Sequence, residues 1–117
     1  SRYYQEKIEW MEQRRQKLIP IFSNDVFLDA IERLTLSAEE YDETATVSEI
    51  HVPTLIVAAD EDALTPVLEQ RKMHQLIKTS HLVVIPNCGH ASMYEKPMIF
   101  TSLVLGFVNA ANTDFAI

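Results

Sequence analysis

The first 50 residues carry hydrophobic positions at the three- and four-residue spacing of amphipathic helices, and they contain no glycine. This spacing predicts a helix over residues 2–19, which Pro20 should end because the residue before a proline is biased away from helix. A second helix is predicted to run from a polar cap to about Leu36. The candidate caps are Ser23 or Asn24 for the second helix, and Ser37 with Glu40, spaced as a capping box, for a short third helix.

The hydrophobic pattern changes after residue 50. Residues 54–59 form a continuous apolar, β-branched run, which is typical of a strand buried on both faces of a parallel sheet. A helix should follow, capped by Thr65, started by Pro66 and extending to about Thr79. A second short strand is predicted over residues 81–85 and a final, broadly apolar helix over residues 97–111. The order strand, helix, strand, helix predicts an α/β fold with a right-handed crossover and a parallel strand pair.

Two polar residues follow the two predicted strands closely. Asp62 lies just past the end of the first strand, and His90 lies just past the end of the second. Because function gathers at the carboxyl ends of parallel strands, these side chains are expected at the same edge of the sheet. An aspartate there could fix the tautomer of the histidine and leave its other nitrogen as a general base. Taken alone, the two residues fit ordinary turn and loop chemistry better than a catalytic pair.

Composition narrows the possible functions. The 117 residues suit one domain, and the net charge of -7 disfavours a nucleic-acid or anionic-membrane partner. The single cysteine rules out an internal disulfide and a cysteine-based zinc site, and it favours a reducing, cytoplasmic setting. Two glycines, Gly89 and Gly106, are too few for a phosphate-binding or dinucleotide-binding loop. A nucleotide cofactor held by such a loop is therefore not expected.

Four segments in order resemble the C-terminal third of the α/β-hydrolase fold family. They are VPTLIV (52–57), DEDALTP (60–66), LVVIPNCGHA (82–91) and EKP (95–97). The resemblance implies that Asp62, in a D-x-x-x-P context, is the acid of a catalytic triad, and that His90, after Gly89, is its base. The acid precedes the histidine, as in the family's chain order. No metal or cofactor is implied.

The sequence departs from the family at the nucleophile. A G-x-S-x-G elbow cannot be built here, and the upstream loop that supplies oxyanion-hole donors is also missing. We therefore interpret the chain as a C-terminal fragment of an esterase- or lactonase-like serine hydrolase, inactive alone. Residues 1–50 would be a helical, cap-like segment, and residues 51–117 the βαβα part of a partial α/β-hydrolase core.

Other functions of the same fold stay open. The alternatives are a dehalogenase, an acyltransferase, a cofactor-free peroxidase, or a non-catalytic protein that binds a ligand or partner. The expected partner is a small ester-like molecule. Self-association through the exposed edge of strand 54–59 is also expected, because an unpaired apolar strand is a template for another chain.

The remaining candidate residues receive structural interpretations. Asp60 is the second choice for the acid, and Asp60 and Glu61 are otherwise expected to be solvated. Cys88 is expected to fill space near the strand end rather than act as a nucleophile. A metal site formed by Cys88, His90 and Asp62 would match no standard zinc spacing. The residues expected to have no catalytic role are Ser92, Ser102, His51, His74 and His81.

Overall fold

The computed structural model describes residues 2–39 and 41–114. The chain divides into two compact units: a helical unit, Tyr4–Glu43, and an α/β unit that takes in Arg2 and Tyr3 together with the described residues from Thr44 onwards.

The N-terminal segment forms two helices rather than the single one predicted. Helix α1 spans Arg2–Glu6 and helix α2 spans Ile8–Phe22, with a break at Lys7. The prediction that Pro20 ends the helix is wrong, because Pro20 lies inside α2. Proline inside a helix lacks one backbone hydrogen bond and crowds the preceding turn, but Pro20 lies only two residues before the end of α2, and the Ser23 N–H still closes the last turn on the Ile19 carbonyl at 2.9 Å.

Helix α3, Asp25–Glu39, begins at a side-chain cap. The Oδ1 atom of Asn24 accepts the N–H of Phe27 at 2.8 Å, which confirms Asn24 rather than Ser23 as the cap. The predicted capping box at Ser37 is wrong, since Ser37 lies within α3 and its hydroxyl donates to the Leu34 carbonyl at 2.8 Å. A serine that bonds back to its own helix stays compatible with helix. Glu40, the other member of that box, lies outside the described residues.

The α/β unit contains the predicted parallel strand pair. Strands β1 (Thr54–Ala59) and β2 (Ser80–Ile85) pair in parallel, with Thr54 opposite Ser80 and Ala59 opposite Ile85. The helices of this unit are α4 (Thr44–Val47), α5 (Val67–Leu76), α6 (Ser92–Glu95) and α7 (Pro97–Asp114). Because the strands are in register, their carboxyl ends lie side by side, and the loops that follow them meet there.

The best-buried core of this unit lies directly beneath those carboxyl ends. Ala59, Ile85 and Cys88 form one buried cluster, against which Val57 and Leu103 pack. Ile85 is 1% exposed and Cys88 is fully buried. The last residue of each strand is therefore held by packing, which fixes the starting points of both loops.

Within the described part of the chain, the sheet has only these two strands. Each strand is paired along one edge, so the other edge carries backbone N–H and C=O groups without a strand partner. The self-association expected through this edge stays a prediction. None of the helices described here combines the length and apolar character that crossing a bilayer requires.

Candidate active site

Asp62 lies in the tight turn that follows β1, and its carboxylate accepts three hydrogen bonds from residues of that turn. Its Oδ1 atom accepts the backbone N–H groups of Leu64 and Thr65 at 2.9 and 3.0 Å. Its Oδ2 atom accepts the Thr65 hydroxyl at 2.7 Å. Only 7% of the Asp62 side chain is exposed. The turn therefore fixes both the position and the rotation of the carboxylate.

Thr65 differs from its prediction. Its hydroxyl does not cap α5, which begins at Val67 after Pro66 without a side-chain cap. The hydroxyl instead donates to the Asp62 carboxylate, which as an anion is a strong acceptor. Thr65 is a site residue that the sequence analysis missed, although its three-residue spacing from Asp62 was visible.

His90 lies at the end of the loop that follows β2, and the structure brings it to Asp62. The Nδ1 atom of His90 is 3.0 Å from Oδ2 of Asp62, across 28 residues of sequence. An ionised carboxylate can only accept, so Nδ1 carries the shared proton, and the lone pair of the neutral ring is on Nε2. The His90 side chain is 56% exposed, so the ring is accessible to a reacting molecule.

The surroundings of Asp62 keep its carboxylate charged. Burial is the largest single influence and raises the pKa of Asp62, but the hydrogen bonds from Thr65, His90 and Leu64 together outweigh it. The pKa of Asp62 is consequently held well below its ordinary value. Asp62 is thus an anion at neutral pH, as the orientation of a histidine base requires.

This lowered pKa predicts how stability depends on pH. The pKa of Asp62 is lower in the folded protein than its value of about 3.9 in an unfolded chain. The stability that the ionised carboxylate gives to the fold is therefore fully present above about pH 3.9. The contribution is lost as the pH falls from about 4 towards the folded-state pKa. We expect urea unfolding midpoints between about pH 7 and pH 3 to decline less steeply for Asp62→Asn than for the unmodified protein.

The matched control for this measurement is Asp29→Asn. Asp29 forms an ion pair with Arg33 in which both side chains are more than half exposed, so it contributes little to stability. Its pH curve should follow that of the unmodified protein. The prediction is contradicted if the unfolding midpoints of Asp62→Asn and of the unmodified protein fall equally steeply as the pH is lowered below about 4.

Asp60 differs from both of its expected roles, because its carboxylate accepts a backbone hydrogen bond and the His90 ring contacts Asp62 instead. Its Oδ1 atom accepts the backbone N–H of Cys88 at 3.1 Å, so the carboxylate is used by the loop that carries His90. The end of β1 thus bears two aspartates with different partners. Asp62 contacts the imidazole, and Asp60 contacts the backbone that precedes it.

Cys88 has the surroundings of a packing residue. It is fully buried, and burial, followed by the negative charge of Glu95, raises the pKa of its thiol. The thiol is therefore protonated at neutral pH and is a poor nucleophile. Ser92 is also buried, at the start of α6, and Ser102 lies on the exposed side of α7.

The other histidines lie away from Asp62. His51 and His81 are exposed, and the His81 ring meets the edge of Phe107. His74 is more than the expected surface residue, because its Nδ1 atom lies 2.7 Å from the Ser80 hydroxyl and links α5 to β2. Across residues 2–39 and 41–114, no three histidine, cysteine or acidic side chains are grouped to hold a metal ion.

The chain belongs to the alpha/beta hydrolase fold family, whose sequence pattern matches residues 2–97. This match confirms the resemblance seen in the sequence. It also confirms the fold class, a partial α/β-hydrolase fold of two parallel strands with flanking helices.

Three relatives show how far the likeness extends. An alpha/beta hydrolase enzyme from a Medee basin deep-sea metagenome library is 48% identical with a TM-score of 0.87, covering 93% of this chain and 40% of that protein. A serine hydrolase involved in carbazole degradation is 27% identical with a TM-score of 0.65, covering 72% of this chain and 33% of its own. A pimeloyl-[acyl-carrier protein] methyl ester esterase of Neisseria meningitidis is 32% identical over 68% of this chain and 31% of its own. The chain thus spans between about a third and two fifths of these relatives.

Proposed function

We propose that this chain supplies the acid and the base of a Ser–Asp–His triad in a serine hydrolase that cleaves esters or related carbonyl compounds. The observation that carries the proposal is the 3.0 Å contact between Nδ1 of His90 and Oδ2 of Asp62. It is supported by membership of the family and by relatives that include a serine hydrolase and a methyl ester esterase. The hydrogen-bonded carboxylate favours an enzyme over a protein that only binds a ligand.

The two residues would act in sequence during acyl transfer. Nε2 of His90 takes the proton of the attacking serine hydroxyl, which makes the ring an imidazolium. The anionic Asp62 stabilises that cation through the Nδ1 hydrogen bond and keeps the ring oriented. His90 then gives the proton to the leaving group. The same steps, with water as the nucleophile, release the acyl product.

The nucleophile and the oxyanion donors are proposed to come from outside these 117 residues. The two glycines of the chain cannot form a G-x-S-x-G elbow, and the chain covers only part of each relative. In this proposal residues 1–50 serve as the cap-like segment and residues 51–117 as the triad-bearing part of the core. The substrate is a small molecule, the compartment is the cytoplasm, and no cofactor takes part.

The proposal predicts that the 117-residue chain alone has no turnover of an activated ester such as p-nitrophenyl acetate. Without the serine and the oxyanion donors, neither the covalent step nor its charge stabilisation is available. The full-length protein that carries this sequence should hydrolyse the same ester. The measurement is the release of nitrophenolate by the two proteins at equal concentration.

The control is the same 117-residue chain with His90→Ala. Buffer-level rates for both versions of the chain, with turnover by the full-length protein, support the proposal. Turnover by the chain that His90→Ala abolishes would show that these residues contain a complete active site of another kind.

A further inference from the structure

The segment that carries His90 is an irregular loop between β2 and α6. It contains Asn87, the one described residue other than glycine with a positive φ, at 52°. A backbone in the left-handed region is held by its surroundings rather than by local preference, although asparagine tolerates it well. The direction of the His90 side chain therefore depends on whatever fixes this loop.

The end of β1 fixes one part of the loop. Oδ1 of Asp60 accepts the Cys88 N–H at 3.1 Å, and the Glu61 N–H donates to the Cys88 carbonyl at 2.9 Å. The pKa of Asp60 is lowered first by the backbone N–H of Asn87 and next by that of Cys88. Both backbone polar groups of Cys88 are thus hydrogen-bonded to the residues that follow β1.

A second carboxylate holds the next residue of the loop. Oε2 of Glu95, which is half-buried on α6, accepts the Gly89 N–H at 2.9 Å. Glu95 is itself fixed, because its backbone N–H donates to the Ala91 carbonyl at 2.9 Å. The two amides directly before His90 therefore each donate to a carboxylate, one from the end of β1 and one from α6.

We propose that Asp60 and Glu95 are positioning residues for His90, whose role as the base is the proposed function on which this inference rests. With 56% of its side chain exposed, His90 is only weakly restrained by packing, and its aim at Asp62 depends on the loop backbone. The Nδ1–Oδ2 contact is 3.0 Å, an ordinary N–H···O length, and a loop shift of about 0.5 Å that lengthened it would carry it beyond the range of a good hydrogen bond. A ring that loses this contact is no longer held in the Nδ1–H tautomer, and in the fraction of molecules whose proton is on Nε2 that atom cannot act as a base.

The test compares Glu95→Ala with Glu95→Gln in the full-length protein. The alanine variant removes the acceptor for the Gly89 N–H, whereas the amide oxygen of glutamine can replace it without the charge. Glu49→Ala is the matched control, because Glu49 is an exposed glutamate in the turn after α4. The measurements are kcat and KM for ester hydrolysis and the ¹⁵N shifts of the His90 ring, which report its tautomer.

We expect Glu95→Ala to lower kcat by about 10- to 100-fold with a smaller change in KM, as expected for a misplaced catalytic group. The fraction of His90 in the Nδ1–H tautomer should fall in the same variant, and Glu95→Gln should restore both quantities. Asp60→Ala and Asp60→Asn form a second pair with the same expected pattern, which decides the matter if Glu95→Ala does not fold.

Two results would overturn the inference. The first is that Glu95→Ala and Asp60→Ala have the same kcat and the same fraction of Nδ1–H tautomer as the Glu49→Ala control. The other is loss of stability in these variants with the His90 tautomer unchanged, which would make both carboxylates merely structural. Failure of the proposed function is separate: hydrolysis that survives His90→Ala would refute it, while the ring shifts would still report whether the carboxylates orient His90.

Discussion

Replacing His90 by alanine should lower kcat of the full-length protein by about 10⁶-fold, the loss seen when a serine protease is deprived of its histidine. The imidazole is the proton acceptor for the attacking serine and the proton donor for the leaving group, so both halves of the reaction lose their acid–base catalyst. KM should change little, because the lost interactions belong to the transition state. The rate of ester hydrolysis under saturating and subsaturating substrate checks this.

The structure also predicts that this variant stays folded. The His90 side chain is 56% exposed and contributes no atoms to the buried cluster beneath the strand ends, so its removal creates no cavity. The free energy of unfolding should change by less than about 1 kcal/mol, as for other surface substitutions. His51→Ala, at an exposed histidine before β1, is the matched control and should keep full activity. A kcat for His90→Ala within tenfold of that control would move the base to another residue.

The sequence predicted the α/β unit better than the helical unit, for a physical reason. The strand 54–59 is apolar throughout and is bounded by a proline and by acidic residues, so pattern and chain breaks agree. In the helical unit the predicted ends depended on single residues. Pro20 and Ser37 each lie two residues before the end of their helix, where a missing backbone bond, or a serine bonded to its own turn, disturbs little of the helix.

The candidate site shows the same limit at the level of side chains. The pairing of Asp62 and His90 could be predicted because parallel strands bring their following loops together. The partners of Asp60 and Glu95 could not be predicted, because both partners are backbone N–H groups. Almost every residue has such a group, so residue types do not indicate which one is bound. The short helix α6, which places Glu95 beside Gly89, has four residues and no periodicity to detect.

The Asp62 turn makes a specific prediction for Asp62→Asn. Two backbone amides, those of Leu64 and Thr65, point at Oδ1 and can only donate, so the asparagine must keep its carbonyl oxygen at that position. Its amide nitrogen then replaces Oδ2 and faces Nδ1 of His90 as a donor. The Thr65 hydroxyl can rotate to accept from it, so the turn itself survives. The histidine is consequently held in the tautomer that carries its proton on Nε2, where it cannot act as a base.

We therefore expect Asp62→Asn to lower kcat by about 10⁴-fold, the size found for the same change in a serine protease, without unfolding the protein. The measurement pairs kcat with the ¹⁵N shifts of the His90 ring, which should show the Nε2–H tautomer. Asp29→Asn, at an exposed ion pair on α3, is the matched control for the loss of one carboxylate charge. Near-normal activity in Asp62→Asn would assign the acid to another residue, and a large loss with the Nδ1–H tautomer retained would show that charge, rather than orientation, is what Asp62 supplies.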